Sequence, residues 1–514
     1  MSFSFNLIDQ PWIPCIRGDG TLTEVGLREL LLDAHNLRAL ACETPLHNAA
    51  IMPVALALLH RVFGPSSKAE WKSLWQSGAF PPEALNDYFA KWYERFDLFH
   101  PERPFYQVHD ERLSPKSSLY LAESIANSDT LFDHRTEESF SPFTPPEAAL
   151  TLLAAQFFRL GGGITGKETP NLVDGTQAKG ITLFASGETL FKTFMLNLFL
   201  YPSEAVMPHS KFDKPVWEHD DPLHGKRPKK ELLNLAPTGY LDFLTWQTFH
   251  IRLVPVLDEI GRTVVPSSVV IPVARLVQES SLTNPFKTLL KSSSSEEWKI
   301  VGLDLEKALW RDYHAFLPFR EDVKPPFLIE WLSGLADRSV IDVTSPFQLL
   351  AIAIVRERRK AAKALAYRQE QIMVPPIALL DESIVNSIEY AIKRAEQVAQ
   401  SLREALNILA DQVLMRGGEQ PPDKADRHNL VEQWDSVSLY WERLEPAFWQ
   451  FLETLSQGQS GALDAWNDVL EQQARDALAD AASNSGTSAP ALKGQVIAEL
   501  RLRFRLNKLF NEQE

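Results

Sequence analysis

Two cysteines, Cys15 and Cys42, in 514 residues leave no material for a disulfide framework or a cysteine-rich zinc site. A reduced cytoplasmic setting is therefore expected. No run of 18 apolar residues occurs, so no segment is expected to span a membrane. The opening, MSFSFNLIDQPW, has neither a charged n-region nor an apolar h-region, and no signal peptide is expected. Catalytic signatures are missing as well. There is no H-E-x-x-H and no G-x-S-x-G, and neither cysteine has a nucleophile-like setting. His209, Glu218, His219, Asp220, Asp221 and His224 lie close together in sequence but match no metal template, so they read as a polar loop. No metal and no cofactor are expected. These absences favour a binding module over an enzyme.

Basic residues are also outnumbered, 52 against 67 acids, for a net charge of −15. Taken alone this argues against nucleic acid, because phosphate neutralisation dominates such affinity. The basic residues nevertheless cluster, and local patches matter more than the average. His224 to Lys230 (HGKRPKK) is one knot. Val355 to Gln369 (VRERRKAAKALAYRQ) is a second, with six Lys/Arg against one Glu. Glu499 to Phe510 (ELRLRFRLNKLF) is a third. Each alone reads as a solvated helix face; three in one acidic chain point to an anionic partner. In the last of them Arg501, Arg505 and Lys508 share one helix face, apart from the stripe Leu492, Val496, Leu500 and Phe504, which is expected to face the core. Glu499 is the one acid between Pro490 and Asn511, so the basic face is not neutralised within its own helix and is expected to meet an acidic subunit or a DNA strand.

Hydrophobic residues make up 45% of the chain, with 13 Trp and 29 Phe, enough for a large aromatic core. The pattern over residues 1–374 is mixed and irregular. FSFNLIDQPWIPCI alternates, and a turn at Gly18-Asp19-Gly20 leads into TLTEVGL, a hairpin signal. Helical patterns follow in LRELLLDAHNLRAL and HNAAIMPVALALLHRVF. GITLFASGETLFKTFMLNLFLYP reads as a short strand running into a helix, and the stretch from Thr245 to Val277 as strands around a turn at Gly261. After Val374-Pro375-Pro376 the text is almost purely helical. Ile384, Ile388, Ala391, Ala395, Val398, Leu402, Leu406 and Leu409 trace one stripe. Further helices are predicted over about 428–457, 462–482 and 490–511. The expected fold class is α+β: a mixed domain over 1–374 and a C-terminal four-helix bundle over 375–514.

The stretch from Leu160 to Pro170, LGGGITGKETP, has the Gly-x4-Gly-Lys spacing of a phosphate loop from Gly161 to Lys167. Glu168 stands where a Mg²⁺-ligating hydroxyl is needed, and the preceding Ala148–Leu160 reads as a helix where a P-loop needs a strand. A nucleotide-dependent enzyme using this loop is the rival reading. A glycine-rich helix stop is the plainer one, but three consecutive glycines exceed what a cap needs and offer a backbone open to close approach.

The segment from Phe5 to Pro14, FNLIDQPWIP, resembles the N-terminal motif of the CasA family, the large subunit of the type I-E CRISPR surveillance complex Cascade. LRALACETPLHNAA (Leu37 to Ala50), HPERPFYQ (His100 to Gln107), the glycine loop and the closing bundle agree in order, so the resemblance covers nearly the whole length. It implies a non-catalytic subunit with guide RNA, target double-stranded DNA, the other Cascade subunits and a helicase–nuclease as partners, and no membrane. The family's role is to inspect duplex DNA for a short protospacer-adjacent motif, help open the duplex and help recruit the helicase–nuclease. Carried over by position, the glycine loop that reads the minor groove falls on Gly161, Gly162 and Gly163, and a basic finger on Arg275. The wedge falls on Arg359, Lys360, Ala361 and Ala362, with Arg356 and Arg358 as phosphate contacts beside it. The aromatic that touches the RNA handle is Phe132, flanked by His134 and Arg135. A minor groove about 6 Å wide suits a loop without side chains, and one basic surface is enough where base pairing with the guide carries most of the specificity.

Overall fold

The computed structural model describes residues 3–110, 114–122, 140–161, 173–201, 212–220, 232–276, 284–291, 297–337, 345–357, 360–415 and 422–511, without the side chains of 357–363. Two compact units emerge: Met1–Leu309 with Arg320–Val374, and Trp310–Phe319 with Pro375–Glu514. The fold is α+β, with small sheets in the first unit and long helices in the second.

The first unit begins with the expected hairpin. Ile13–Arg17 pairs antiparallel with Leu22–Val25, and Gly20 takes a left-handed φ of 88° at the turn. The upstream half of the alternating stretch is not strand. Trp12, 1% exposed, donates its indole N–H to the Leu7 carbonyl and pins that segment as a loop. LRELLLDAHNLRAL departs from its helical reading too: only Leu27–Leu32 is helix, and Leu37–Leu40 joins the sheet beside Ile13–Arg17. Local periodicity lost there to a free sheet edge.

Two helices are buried around most of their circumference. Pro45–Val62 is capped by Thr44 and starts with proline at its first position. Pro145–Phe158 carries a full capping box, in which Thr144 and Glu147 satisfy each other's backbone N–H groups. Gln156, fully buried in this second helix, donates to the Phe249 carbonyl at 2.8 Å and accepts from its N–H at 3.1 Å. That exchange fastens the helix to the strand Phe249–Leu257, which pairs with Thr263–Pro272 around Gly261.

A second sheet matters most for the site. Phe347–Glu357 is its centre, with Lys360–Val374 on one side and Thr182–Ser186 on the other, all antiparallel. The basic run Val355–Gln369 therefore lies on a β-hairpin and not on a helix face. Ala351 to Val355 in the first strand are all buried, and cross-strand pairing overrides the helix propensity of the alanines in the second.

In the second unit Glu382–Met415 buries Ile388, Ala391, Ala395, Val398, Leu402, Leu406 and Leu409 of its predicted stripe, while Ile384, at the start of the helix, is half-buried. The helix expected over 428–457 is two, Lys424–Trp434 and Ser436–Ser456, broken at Asp435 in the left-handed region (φ 53°). Ala462–Asn484 and Ala489–Asn511 complete the bundle. Trp310–Phe319, placed by chain order in the first domain, belongs to this unit. Trp310, Tyr313 and Phe316 are buried in it, and Arg311 stacks 3.7 Å above the Trp441 ring while bonding Glu396.

The last helix turns a different face inward from the one its large apolar residues suggest. Ala491, Gly494, Ala498, Leu502 and Leu506 are buried, whereas Leu492, Val496, Leu500 and Phe504 are 48–61% exposed. A Cβ on Gly494 would stand 2.8 Å from the Gln412 Cβ, so small residues let the helix approach Glu382–Met415 closely. Close backbone approach won over the burial of larger side chains.

Candidate nucleic-acid interface

The glycine loop leaves the end of the helix Pro145–Phe158 and returns before the strand Thr182–Ser186. Arg159 ends the helix in an extended conformation (φ −56°, ψ 129°), and Gly161 is not in the left-handed region, so Gly161 is not a left-handed helix cap. The returning segment is pressed onto the helix end. The Gly175 N–H donates to the Arg159 carbonyl and the Gln177 N–H to the Phe157 carbonyl, both at 2.8 Å. A Cβ on Gly175 would fall 2.5 Å from the Phe157 carbonyl oxygen, so only glycine fits.

Sheet register then brings the basic hairpin to the same place. Thr182 faces Ile352, and the strand that carries Ile352 continues past it to Arg356, beside Ala178. Arg356 donates to the Ala178 carbonyl at 2.7 Å and to Asp174 Oδ2 at 3.1 Å. The other oxygen of Asp174 accepts the Gly161 N–H at 2.7 Å. Both charged side chains of this pair are under 20% exposed, and Lys179 Nζ lies 3.5 Å from the same carboxylate. Beneath them Lys287, 2% exposed, donates to the carbonyls of Gln177, at 2.9 Å, and Lys179. Burial, and next the Arg356 guanidinium, lower the Lys287 pKa to about 7.

Sequence reasoning named Gly161 and Arg356 but not Asp174 or Lys287, which hold their surroundings together. Asp174 follows Gly161 by 13 positions in an irregular segment, where no periodicity marks a partner.

The remaining predicted residues fare differently. Gly162, Gly163, Arg358 and Arg359 lie outside the described residues, as do Phe132, His134, Arg135 and the knot His224–Lys230. Lys360, Ala361 and Ala362 begin the second hairpin strand, with Lys360 opposite Glu357. Arg275 is exposed on the short strand Ala274–Leu276, parallel to Leu233–Leu235, and among the described residues no hydrogen bond or ion pair joins it to the Gly161–Arg356 cluster. Arg368, also in the basic run, is turned inward to the Asp304 carbonyl at 2.7 Å and to Glu370. Arg501 and Arg505 both reach Glu404 of the neighbouring helix, at 3.4 and 2.7 Å. The stripe is thus partly neutralised from the next helix, a partner invisible to a reading of one helix.

The polar residues weighed as metal ligands are engaged in ion pairs and hydrogen bonds. Glu218 accepts from Arg61 at 2.8 and 3.1 Å and from the Tyr88 hydroxyl at 2.8 Å. Asp220 pairs with Arg95 and Arg103. His209, Asp221 and His224 lie outside the described residues. Among the described residues no cluster of His, Cys, Asp or Glu is arranged to hold a metal, and no helix is long and apolar enough to cross a membrane. Burial raises both thiols, Cys15 to about 12, which removes their nucleophilicity at neutral pH. A cleft of about 450 Å³ over Leu350, Ile352 and Gln371 is lined by none of the predicted site residues.

The family model for CRISPR-associated protein Cse1 matches residues 6–477. A CRISPR-associated protein CasA/Cse1 of Thermus thermophilus is 30% identical over 524 residues, covering 99% of this chain and 98% of its own. The crystal structure of CasA from Thermus thermophilus superposes with a TM-score of 0.81 at 27% identity, over 98% of this chain and 100% of that one. A chain of a CRISPR RNA-guided surveillance complex shares the fold, with a TM-score of 0.74 at 22% identity over 97% and 99%. By the extent of the family match and the end-to-end likeness to that relative, this chain belongs to the Cse1 family of CRISPR-associated proteins.

Proposed function

We propose that this chain is the large subunit of a type I-E Cascade complex, and that it recognises the protospacer-adjacent motif of double-stranded DNA through the minor groove. In this reading the backbone of Gly161, Gly162 and Gly163 lies against base edges, and Arg359, Lys360, Ala361 and Ala362 enter the duplex below the motif. Unstacking a base step costs a few kcal/mol; phosphate contacts from Arg358 and Arg359 offset part of it, while Arg356, expected from the sequence to join them, is held on Asp174 and the Ala178 carbonyl and serves to position the hairpin. Arg275 is the basic finger, and Phe132, His134 and Arg135 meet the handle of the guide RNA. The subunit carries out no chemistry of its own. It holds the complex on a matching target, helps open the duplex and helps recruit the helicase–nuclease.

One observation carries the proposal: the first glycine of the loop and the basic hairpin, 195 positions apart at Gly161 and Arg356, meet on the two oxygens of Asp174. A surface that reads one short motif and then parts the strands needs those elements side by side. The nucleotide-enzyme alternative is weakened by the same geometry. The loop follows a helix, and the Gly161 N–H is already taken by a carboxylate, where a phosphate cradle needs it open.

The test is the assembled complex with its guide RNA, titrated with motif-bearing and motif-free duplexes at fixed salt. Gly162→Leu should lower affinity for motif-bearing duplex and leave the remaining affinity almost independent of the motif. Undiminished discrimination by that variant overturns the groove-reading role.

A further inference from the structure

Gly161, Asp174 and Arg356 form a mechanical link, and its chemistry is asymmetric. Toward the glycine loop Asp174 offers an acceptor for a backbone N–H at 2.7 Å, which any side-chain carbonyl oxygen could supply. Toward the hairpin it offers charge, held 3.1 Å from a guanidinium whose other nitrogen is fixed on the Ala178 carbonyl. The segment that carries Asp174 has little freedom to yield. Gly175 is seated on the Phe157 carbonyl without room for a methyl group. Gly180 has a φ of 70°, and an added Cβ there would meet the Val301 carbonyl oxygen at 2.6 Å. Lys287 ties down the carbonyls of residues 177 and 179 from below. Gly161 and Arg356 are thus both held by one carboxylate on a tightly seated segment.

We infer that Asp174 is a positioning residue that couples motif recognition at the glycine loop to duplex opening at the basic hairpin. The inference rests on the proposed groove-reading function and adds the residue that makes reading and opening one event. Duplex that displaces Gly161 biases the Arg356 strand end, and only duplex with the right groove does so. Coupling of this kind between two sites amounts to roughly a 5- to 150-fold effect.

The experiment uses the full complex and duplexes with 2-aminopurine at the first base pairs beyond the motif. Affinity reports reading, and fluorescence reports opening. Asp174→Ala should keep most of the preference for motif-bearing duplex but open it about tenfold less at saturating DNA. Asp174→Asn, which keeps the acceptor for Gly161 and removes the charge facing Arg356, should show the same opening defect with still smaller loss of motif preference. Arg356→Gln should match the opening defect, and the Asp174→Asn/Arg356→Gln double variant should be no worse than either single change. A duplex with a preformed mismatched bubble at the reporter positions should restore both single variants, because the opening step is already made.

Wild-type opening by Asp174→Ala overturns the inference, and so does failure of the bubble to restore it, which would leave Asp174 a purely structural residue. The groove-reading function stands or falls separately, on Gly162→Leu. If that variant discriminates like wild type, the reading fails. If it loses discrimination while Asp174→Ala opens normally, only the coupling fails.

Discussion

Trp310 stacks on Phe448 with ring centroids 4.7 Å apart and planes at 30°, so a segment from the middle of the chain is built into the C-terminal bundle. Trp466 closes the same cluster edge-on to Trp310, and Tyr313 meets Phe448 from a neighbouring position. Trp310→Ala leaves a cavity that the surrounding rings cannot fill. It should cost about 3–5 kcal/mol in denaturant-induced unfolding. A loss under about 1 kcal/mol would show that the segment is dispensable to the bundle.

The exposed ridge of the last helix makes a second case. Leu500→Ser and Phe504→Ser should change the unfolding free energy of the isolated chain by under about 0.5 kcal/mol, as surface changes do. Leu502→Ala, two positions from each of them but buried, should cost about 2–5 kcal/mol. An apolar ridge of this length on a surface helix suits contact with another protein. The ridge variants should therefore weaken incorporation into the complex, read by co-elution with the other subunits. Equal stability losses at Leu500 and Leu502 would contradict the assigned faces.

Glu404 serves both Arg501 and Arg505, so one carboxylate meets two guanidinium groups and the stripe keeps excess positive charge. Changing Arg501, Arg505 and Lys508 together to Gln should leave stability within about 1 kcal/mol, because partly exposed pairs contribute little. It should impair target-DNA binding or assembly of the complex. Unchanged DNA affinity together with unchanged assembly would reduce the stripe to a solvated face.

His60 sets a pH dependence. Its ring is buried edge-on against Tyr240, with centroids 5.0 Å apart, and burial lowers its pKa from 6.5 to about 3. Between those values the unfolded chain binds a proton that the folded chain does not. Stability from this group is complete above about pH 6.5 and is lost as the pH falls toward 3. At about pH 5 the loss should be about 2 kcal/mol. His60→Phe keeps a ring against Tyr240 and should show a flatter decline between about pH 7 and 5 in thermal unfolding. A parallel decline in both proteins would remove His60 from the acid response.

Much of the architecture is determined by local pattern. The hairpin at Ile13–Val25, the proline-started helices at Pro45 and Pro145, the strands around Gly261 and the stripe of Glu382–Met415 all follow from signals within a few residues: a turn glycine, a cap, an apolar period. Family membership was legible in one ten-residue motif, Phe5 to Pro14, supported by the order of the others. Tertiary structure decided what depends on partners far along the chain. Leu37–Leu40 became a strand because a sheet edge was open beside it, and the basic run became a hairpin because Thr182–Ser186 and its own second half paired with it. The last helix buried its small residues because its neighbour lies close enough to exclude larger ones. Asp174 had no signal at all: its two oxygens acquire a role only when the fold brings Gly161 and Arg356 within hydrogen-bonding reach of one carboxylate.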